Sequence, residues 1–280
     1  MKSSEPLRFQ PLLNPTEVDT YDLPAISAAL AATPFAGKIR FFPTIHSTNV
    51  LAMREAEEGA PEGNVYLADE QTAGKGRGAH SWNSAVGAGL YVSILLRPQV
   101  APADILWLSL AAGLAVRDAV RQVTSIEADI RWPNDLLFGR KKFCGILTEL
   151  NAEVTRVRHA VVGIGINVHQ ESFPGELTAI ASSLRIETGR SWARQDLLIA
   201  LLQSLYREAQ ALSAETAGAA ASILSRLEGA SSWIRGKHVQ VDEGGGYSGV
   251  TAGLDSRGFL QVRTANGLRT VHSGGVRAQG

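Results

Sequence analysis

Three glycines and two cations fill the five positions Gly74-Lys75-Gly76-Arg77-Gly78, within a stretch that runs from Asp69 to Trp82. Glycine reaches positive φ and lets backbone N–H groups approach a ligand closely. Lys75 and Arg77 flank Gly76 and can bracket anionic oxygens, with Arg77 supplying the forked geometry that suits phosphate or carboxylate. The segment therefore suits a loop that folds over a polyanion. It is neither a Walker loop nor a G-x-G-x-x-G dinucleotide turn. The competing reading is a surface loop with incidental charge.

Four further segments carry chemistry-bearing residues. In Arg131-Trp132-Pro133-Asn134-Asp135, the proline places Asn134 and Asp135 at a turn. Asp135 could hold Mg²⁺ through carboxylate oxygens, or the pair could form an Asx turn. Lys141-Lys142-Phe143-Cys144-Gly145-Ile146-Leu147-Thr148-Glu149 sets two lysines at the mouth of an apolar strand. One of them could point inward to neutralise a meeting of carboxylate and phosphate; otherwise they form a solvated edge. Glu149 stands out there, because an unpaired buried carboxylate is costly. Gly163-Ile164-Gly165-Ile166-Asn167 places two glycines in a buried strand, as bulges, as beds for a flat ligand, or for helix packing. His46-Ser47-Thr48-Asn49 concentrates hydroxyl and amide groups at a helix start, suited to a urea, amide or base, or simply to capping.

The whole chain narrows the field. Its 280 residues can bury a substantial core. With 27 basic and 27 acidic side chains the net charge is zero, which argues against a general nucleic-acid binder. Cys144 is the only cysteine, so no internal disulfide forms, and a buried structural thiol is expected. The six histidines have no metal-ligand spacing. No signal peptide or membrane-length apolar run is visible, so a cytoplasmic, membrane-free protein is expected.

Strands are expected at 38–42, 65–68, 90–96, 143–150 and 160–168, and helices at 23–32, 48–58, 102–121, 195–211 and 215–227. Strands and helices mix without a regular βαβ rhythm, which predicts α+β with a mixed sheet. After Trp233, short strands separated by glycine turns predict a small β-barrel-like module.

These segments, in this order, resemble the biotin protein ligases. The resemblance runs from about Phe42 to Val168 and weakly into the C-terminal module. It rests on Ser47-Thr48-Asn49, Gln71 to Arg77, Trp82, Trp132 to Asp135, Lys142 with Gly145-Ile146-Leu147, and Gly163 to Asn167. It implies a catalytic domain with a mixed sheet at 38–230 and an SH3-like C-terminal domain at 233–277, preceded by an N-terminal arm and short helix at 1–37. The implied activity joins biotin to ATP as biotinyl-5'-AMP, then transfers biotin to a lysine of a biotin carboxyl carrier domain. Ser47, Thr48, Asn49, Gln71, Gly74, Arg77, Lys142 and Gly145 would contact biotin. Lys75, Gly76, Arg77, Trp82, Asn134 and Asn167 would contact the nucleotide. Lys142, Arg77 and Asp135 would serve catalysis, with Asp135 also holding Mg²⁺. A chain that reaches Ser47 this early is expected to lack a DNA-binding domain and to act as a monomer or weak homodimer. The rivals are a lipoate–protein ligase, a non-catalytic biotin binder, and a weaker nucleic-acid-binding reading of the C-terminal module.

Three places, five positions in all, depart from the family pattern. His46 replaces an aspartate, Lys75 stands where arginine is commoner, and Gly78-Ala79-His80 replaces Arg-Gly-Arg. The loop has thus lost at least one forked donor. Restoring Arg-Gly-Arg at positions 78–80 is expected to slow release of the acyl-adenylate roughly tenfold, since a charge-assisted hydrogen bond is worth ~1.5 kcal/mol or more. An unchanged off-rate in a rapid-dilution experiment would refute this.

Overall fold

The apolar runs picked out in the sequence become the centre of one large sheet. The computed structural model describes residues 19–78 and 80–279. Residues 1–18 of the expected N-terminal arm, and Ala79, lie outside the described residues. In chain order the elements are α1 (Leu23–Ala29), β1 (Ile39–Ile45), α2 (Thr48–Glu57), β2 (Val65–Lys75), β3 (Ser81–Ser84) and β4 (Gly89–Leu96). A 3-10 turn at Pro102–Asp104 leads into α3 (Ile105–Thr124), β5 (Asp129–Arg131), β6 (Asp135–Phe138), β7 (Lys141–Ala152) and β8 (Val157–Asn167). Then follow α4 (Leu177–Ile180), α5 (Leu184–Thr188), α6 (Arg194–Ala214) and α7 (Thr216–Ala230). The chain ends in β9 (Arg235–Val241), β10 (Tyr247–Leu254), β11 (Leu260–Thr264), β12 (Gly267–Val271) and β13 (Val276–Ala278).

The first sheet runs β1-β2-β4-β8-β7-β6-β5, with β3 attached to β2. Only β1 and β2 run parallel, so the sheet is mixed, as expected. Pro43 fits within β1 because β1 lies at the sheet edge, where a missing N–H is tolerated. Successive side chains alternate between faces. Val92, Ile94, Val162 and Ile164 join the main core with α3 and α6. Tyr66, Leu95 and Val161 point the other way, against Ala52 and Ala56 of α2.

The second sheet is five-stranded and antiparallel, in the order β12-β11-β10-β9-β13. It docks where Trp132 Nε1 donates to the Gly258 carbonyl at 2.9 Å. Gly258 has φ +85°, and a Cβ there would come within 3.0 Å of Leu110 and 3.2 Å of Trp107. Only glycine allows both that backbone and that approach.

Two elements differ from expectation for physical reasons. The glycine segment is half strand: β2 runs to Lys75 and pairs Gly74 with Trp82 and Lys75 with Ser81. Once the backbone finds a partner in β3, only the tip of a hairpin is left as loop. Gly163 and Gly165 are not bulges, because the ladders to β4 and β7 pass through both in register.

Arg194 ties the layers together. At 4 % exposure it pairs with Asp19 and Asp69, both at 2.6 Å, and donates to the Gly89 carbonyl at 3.2 Å. The pairing joins the start of α6 to β2 and β4. Arg194→Leu would leave two partly buried carboxylates without their cation, so a loss of about 3–5 kcal/mol in urea unfolding is expected. A loss under ~1 kcal/mol would show that the cluster relaxes into water instead.

Candidate active site

Three rows of side chains cross the α2 face of the large sheet. Leu95, Val161 and Glu149 are register neighbours, then Ser93, Gly163 and Leu147, then Tyr91, Gly165 and Gly145. The face thus passes from apolar, under α2, to a hydroxyl, and then to a glycine pair. Over this bare floor lies a cleft of about 960 Å³, within the range of small-molecule sites.

The glycines make room for other side chains. A Cβ at Gly163 would sit 2.1 Å from Asn49 Oδ1, and one at Gly165 would sit 2.4 Å from Trp82 Nε1. One at Gly145 would meet Trp82 and Lys142 Nζ, each at 2.9 Å. The Trp82 indole therefore lies on the backbone of a cross-strand glycine pair. Its Nε1 is buried and has no hydrogen-bond partner among the described residues.

At one end of the cleft, polar groups are wired together. Gln71 Oε1 accepts from the Thr48 amide at 2.8 Å and from its hydroxyl at 3.0 Å, while Gln71 Nε2 donates to Ser84 at 3.0 Å. Ser93 Oγ lies 2.8 Å from Thr48 Oγ1 and 2.6 Å from Asn49 Oδ1, with one proton to share between them. Asn49 Nδ2 donates to Glu149 at 2.8 Å, and Lys75 stands 3.8 Å from the same carboxylate. Ser47 caps α2 with a long 3.5 Å bond from Val50, which leaves its hydroxyl proton unused there.

At the other end stands a charged centre. Lys142 Nζ is 2.5 Å from Asp135 Oδ1, and Arg131 holds Oδ2 at 2.6 Å and 3.2 Å. Burial alone would raise the Asp135 pKa, but Lys142 and Arg131 outweigh it and hold the carboxyl below its usual range. Lys142 Nζ also sits 5.2 Å above the Trp82 ring. Arg77 lies across the cleft, half-buried, and donates to the Gly274 carbonyl of the second sheet at 3.0 Å. Burial lowers its pKa, opposed by Asp135 and Glu243.

Every expected site residue except Gly74 lines this one cleft. Gly74 lies beneath it, where a Cβ would be 2.6 Å from the Trp82 carbonyl. Three amides turn out to be held by protein groups: Asn49 as above, Asn134 by the Ile146 carbonyl at 2.7 Å, and Asn167 by Ser182 and Gln170. Asp135 does not fit a resident metal. Both its oxygens face cations, and among the described residues no group of three His, Cys, Asp or Glu could hold an ion. The thiol of Cys144 is buried and its pKa pushed up, as expected for a core cysteine. No helix among the described residues is long and apolar enough to cross a membrane.

Sequence reasoning missed Ser93, Arg131 as an ion-pair partner, and the Ser273–Gly275 turn. Ser93 left a trace as the one serine in a strand of otherwise apolar and aromatic residues. The turn left none, because its place depends on how the second sheet docks.

Comparison with known proteins agrees with this architecture. Residues 41–167 match the model of the biotin/lipoate A/B protein ligase family, and 235–276 match that of the biotin protein ligase C-terminal domain. The bifunctional ligase/repressor BirA of Bacillus subtilis is 35 % identical over 244 residues, covering 84 % of this chain and 72 % of that protein. The biotin–[acetyl-CoA-carboxylase] ligase of Mycobacterium tuberculosis is 31 % identical over 237 residues, covering 82 % and 85 %. The Aquifex aeolicus biotin protein ligase, solved with biotin and ATP, superposes with a TM-score of 0.75 at 29 % identity, covering 87 % of this chain and all of that one. The fold and site thus define an enzyme of the biotin/lipoate ligase class. Within it, the chain belongs to the biotin protein ligase family.

The glycine floor gives a direct test. Gly165→Ala drives a methyl into the indole of Trp82, which is half-exposed, while the other four tryptophans stay in the core. Red-shifted tryptophan emission is expected, with a stability loss near ~1 kcal/mol because the hairpin can lift away. Unshifted emission would mean that Trp82 does not rest on this floor.

Proposed function

We propose that this chain attaches biotin to a lysine of a biotin carboxyl carrier domain through biotinyl-5'-AMP. One observation carries the reading: a neutral polar end, a Lys142–Asp135 centre and an arginine-bearing hairpin share one cleft. A ureido ring asks for fixed donors and acceptors, which Ser47, Thr48 and Gln71 supply in a preset network. Their placement ahead of any ligand avoids reorganisation on binding.

In the first step, a carboxylate oxygen of biotin attacks the α-phosphorus of ATP, and pyrophosphate leaves. Negative charge accumulates between the carboxylate and the phosphoryl oxygens. The Lys142 ammonium, paired with Asp135, lies where it can offset that charge. Arg77 on the hairpin covers the phosphate side and excludes water from the mixed anhydride, while Lys75 closes the rim beside Glu149. Magnesium would come with ATP as the counter-ion of its phosphates. In the second step, the deprotonated amine of the carrier lysine attacks the acyl carbon, an amide forms and AMP departs. Asn134 and Asn167 shape the nucleotide side, while Asn49 acts from beneath by fixing Ser93 and Thr48. Residues 38–230 form the catalytic unit in this reading, and 233–277 a smaller unit that contributes a wall of the cleft.

A lipoate ligase would need a long apolar channel where this cleft has hydroxyls and amides. With labelled biotin, MgATP and a carrier domain, label is expected on the carrier. Lys142→Ala should slow adenylation by about 100-fold or more, the scale of losing an oxyanion-type donor. Pyrophosphate exchange driven by lipoate and not by biotin would overturn the assignment. A full adenylation rate in Lys142→Ala would remove that lysine from its role.

A further inference from the structure

Arg131 has no place in the reaction as described, yet it is built into the site from two sides. Its guanidinium holds Asp135 Oδ2, leaving Oδ1 to face Lys142 in the cleft. Its other contact is the ring of Trp233, 5.3 Å away, at the root of the second sheet. Lys237 of β9 approaches the same ring at 5.0 Å. Trp233 is 3 % exposed, so this cation–π contact is shielded and stronger than an exposed one.

The surroundings fix this arrangement rigidly. Ser231 Oγ donates to the Ile130 carbonyl at 2.5 Å and accepts from the Trp233 amide at 3.1 Å. Ser232 donates to both oxygens of Asp129, at 2.9 and 2.5 Å. The segment before β9 is thus bonded to β5, and β5 carries Arg131. From there the β5–β6 pairing sets Arg131 opposite Asp135, and the β6–β7 pairing sets Asp135 opposite Gly145. A continuous line of contacts runs from Trp233 through Arg131 and Asp135 to Lys142.

We propose that Arg131 is a positioning residue for the adenylation step, itself held by Trp233, so that the second sheet sets the place of Lys142 and the net charge of the group around it. The inference rests on the adenylating reading above. Its physical content is twofold. Arg131 fixes the rotation of the Asp135 carboxylate, which in turn fixes the ammonium. It also offsets the charge of Asp135: with Arg131 the Arg131–Asp135–Lys142 group carries net +1, and without it the group is neutral. An anionic transition state would then meet a centre with one positive charge fewer. Four groups face Asp135: Arg131 from β5, Lys142 and the neutral Cys144 thiol from β7, and Arg77 from the hairpin. Removing one of the three cations lets the carboxyl take up a proton at a higher pH.

The test uses the full chain and biotin-dependent ATP–pyrophosphate exchange across pH, with thermal melting of each variant. In Arg131→Gln, kcat should fall about 10- to 100-fold while KM for biotin moves less than about threefold, as when an interaction is lost mainly in the transition state. Its acid limb should move to higher pH. Arg131→Lys restores the charge and should return the acid limb and most of the rate. Trp233→Leu should lower kcat several-fold, and combined with Arg131→Gln it should add little, as for two links of one chain. If Trp233→Leu melts below the assay temperature, the Arg131 pair alone decides. An Arg131→Gln enzyme with kcat within about twofold of wild type and an unmoved acid limb overturns the proposal, since a lost cation must shift both. So does a rate that falls with melting temperature and is not rescued by lysine. A wild-type chain with no biotin-dependent exchange overturns the adenylating reading itself, and the proposal with it.

Discussion

The cleft depends on a stretch of sheet that carries no side chains. Gly145 and Gly165 face each other across the β7–β8 ladder, with Gly163 two residues along the strand. Any Cβ at these positions would lie within 3 Å of Trp82, Lys142 or Asn49. Interiors are packed too densely to absorb such an intrusion, so the site exists only because the strands are bare there. The indole fills what would otherwise be a hole, and the rest of the cleft is arranged around it. In a buried strand glycine gives up packing and backbone entropy, and the flanking Ile164 and Ile166 restore apolar contact on the opposite face.

Charge is managed with the same economy. A buried carboxylate is expensive unless paired, and Asp135 is paired twice. The excess positive charge stays where an anionic ligand would arrive, and Arg77 adds to it from the hairpin. Glu149, the other carboxylate on this face, plays a different part. It orients Asn49 and faces Lys75, so it joins the polar end of the cleft to the hairpin at its rim. The two carboxylates thus work as structural counter-ions, Asp135 to Arg131 and Lys142, and Glu149 to Lys75.

Much of this was legible in the sequence. The mixed-sheet class, the helix that Ser47 caps and the switch to short strands after Trp233 follow from local patterns of period and capping. The segments that form the site were recognisable because glycine, proline and isolated polar residues are conspicuous in apolar strands. Their partners were harder to read. That Gly163 serves Asn49 and Gly165 serves Trp82 depends on strand register, which pairs residues far apart in the chain. Asp135 reads as a metal ligand while its neighbours are unknown. It reads as a counter-ion once Arg131 and Lys142 are seen on either side of it.

The sequence alone determined which residues are chemically unusual and which elements carry them, because both follow from residue type and short-range spacing. The tertiary structure decided which of those residues meet. It turned the glycine segment into a hairpin, brought the carbonyl of Gly274 to Arg77, and placed Trp233 against Arg131. Those contacts span up to 197 positions, and no local preference encodes them. They arise from the docking of one sheet on another, which is fixed by packing and buried hydrogen bonds spread over the whole chain.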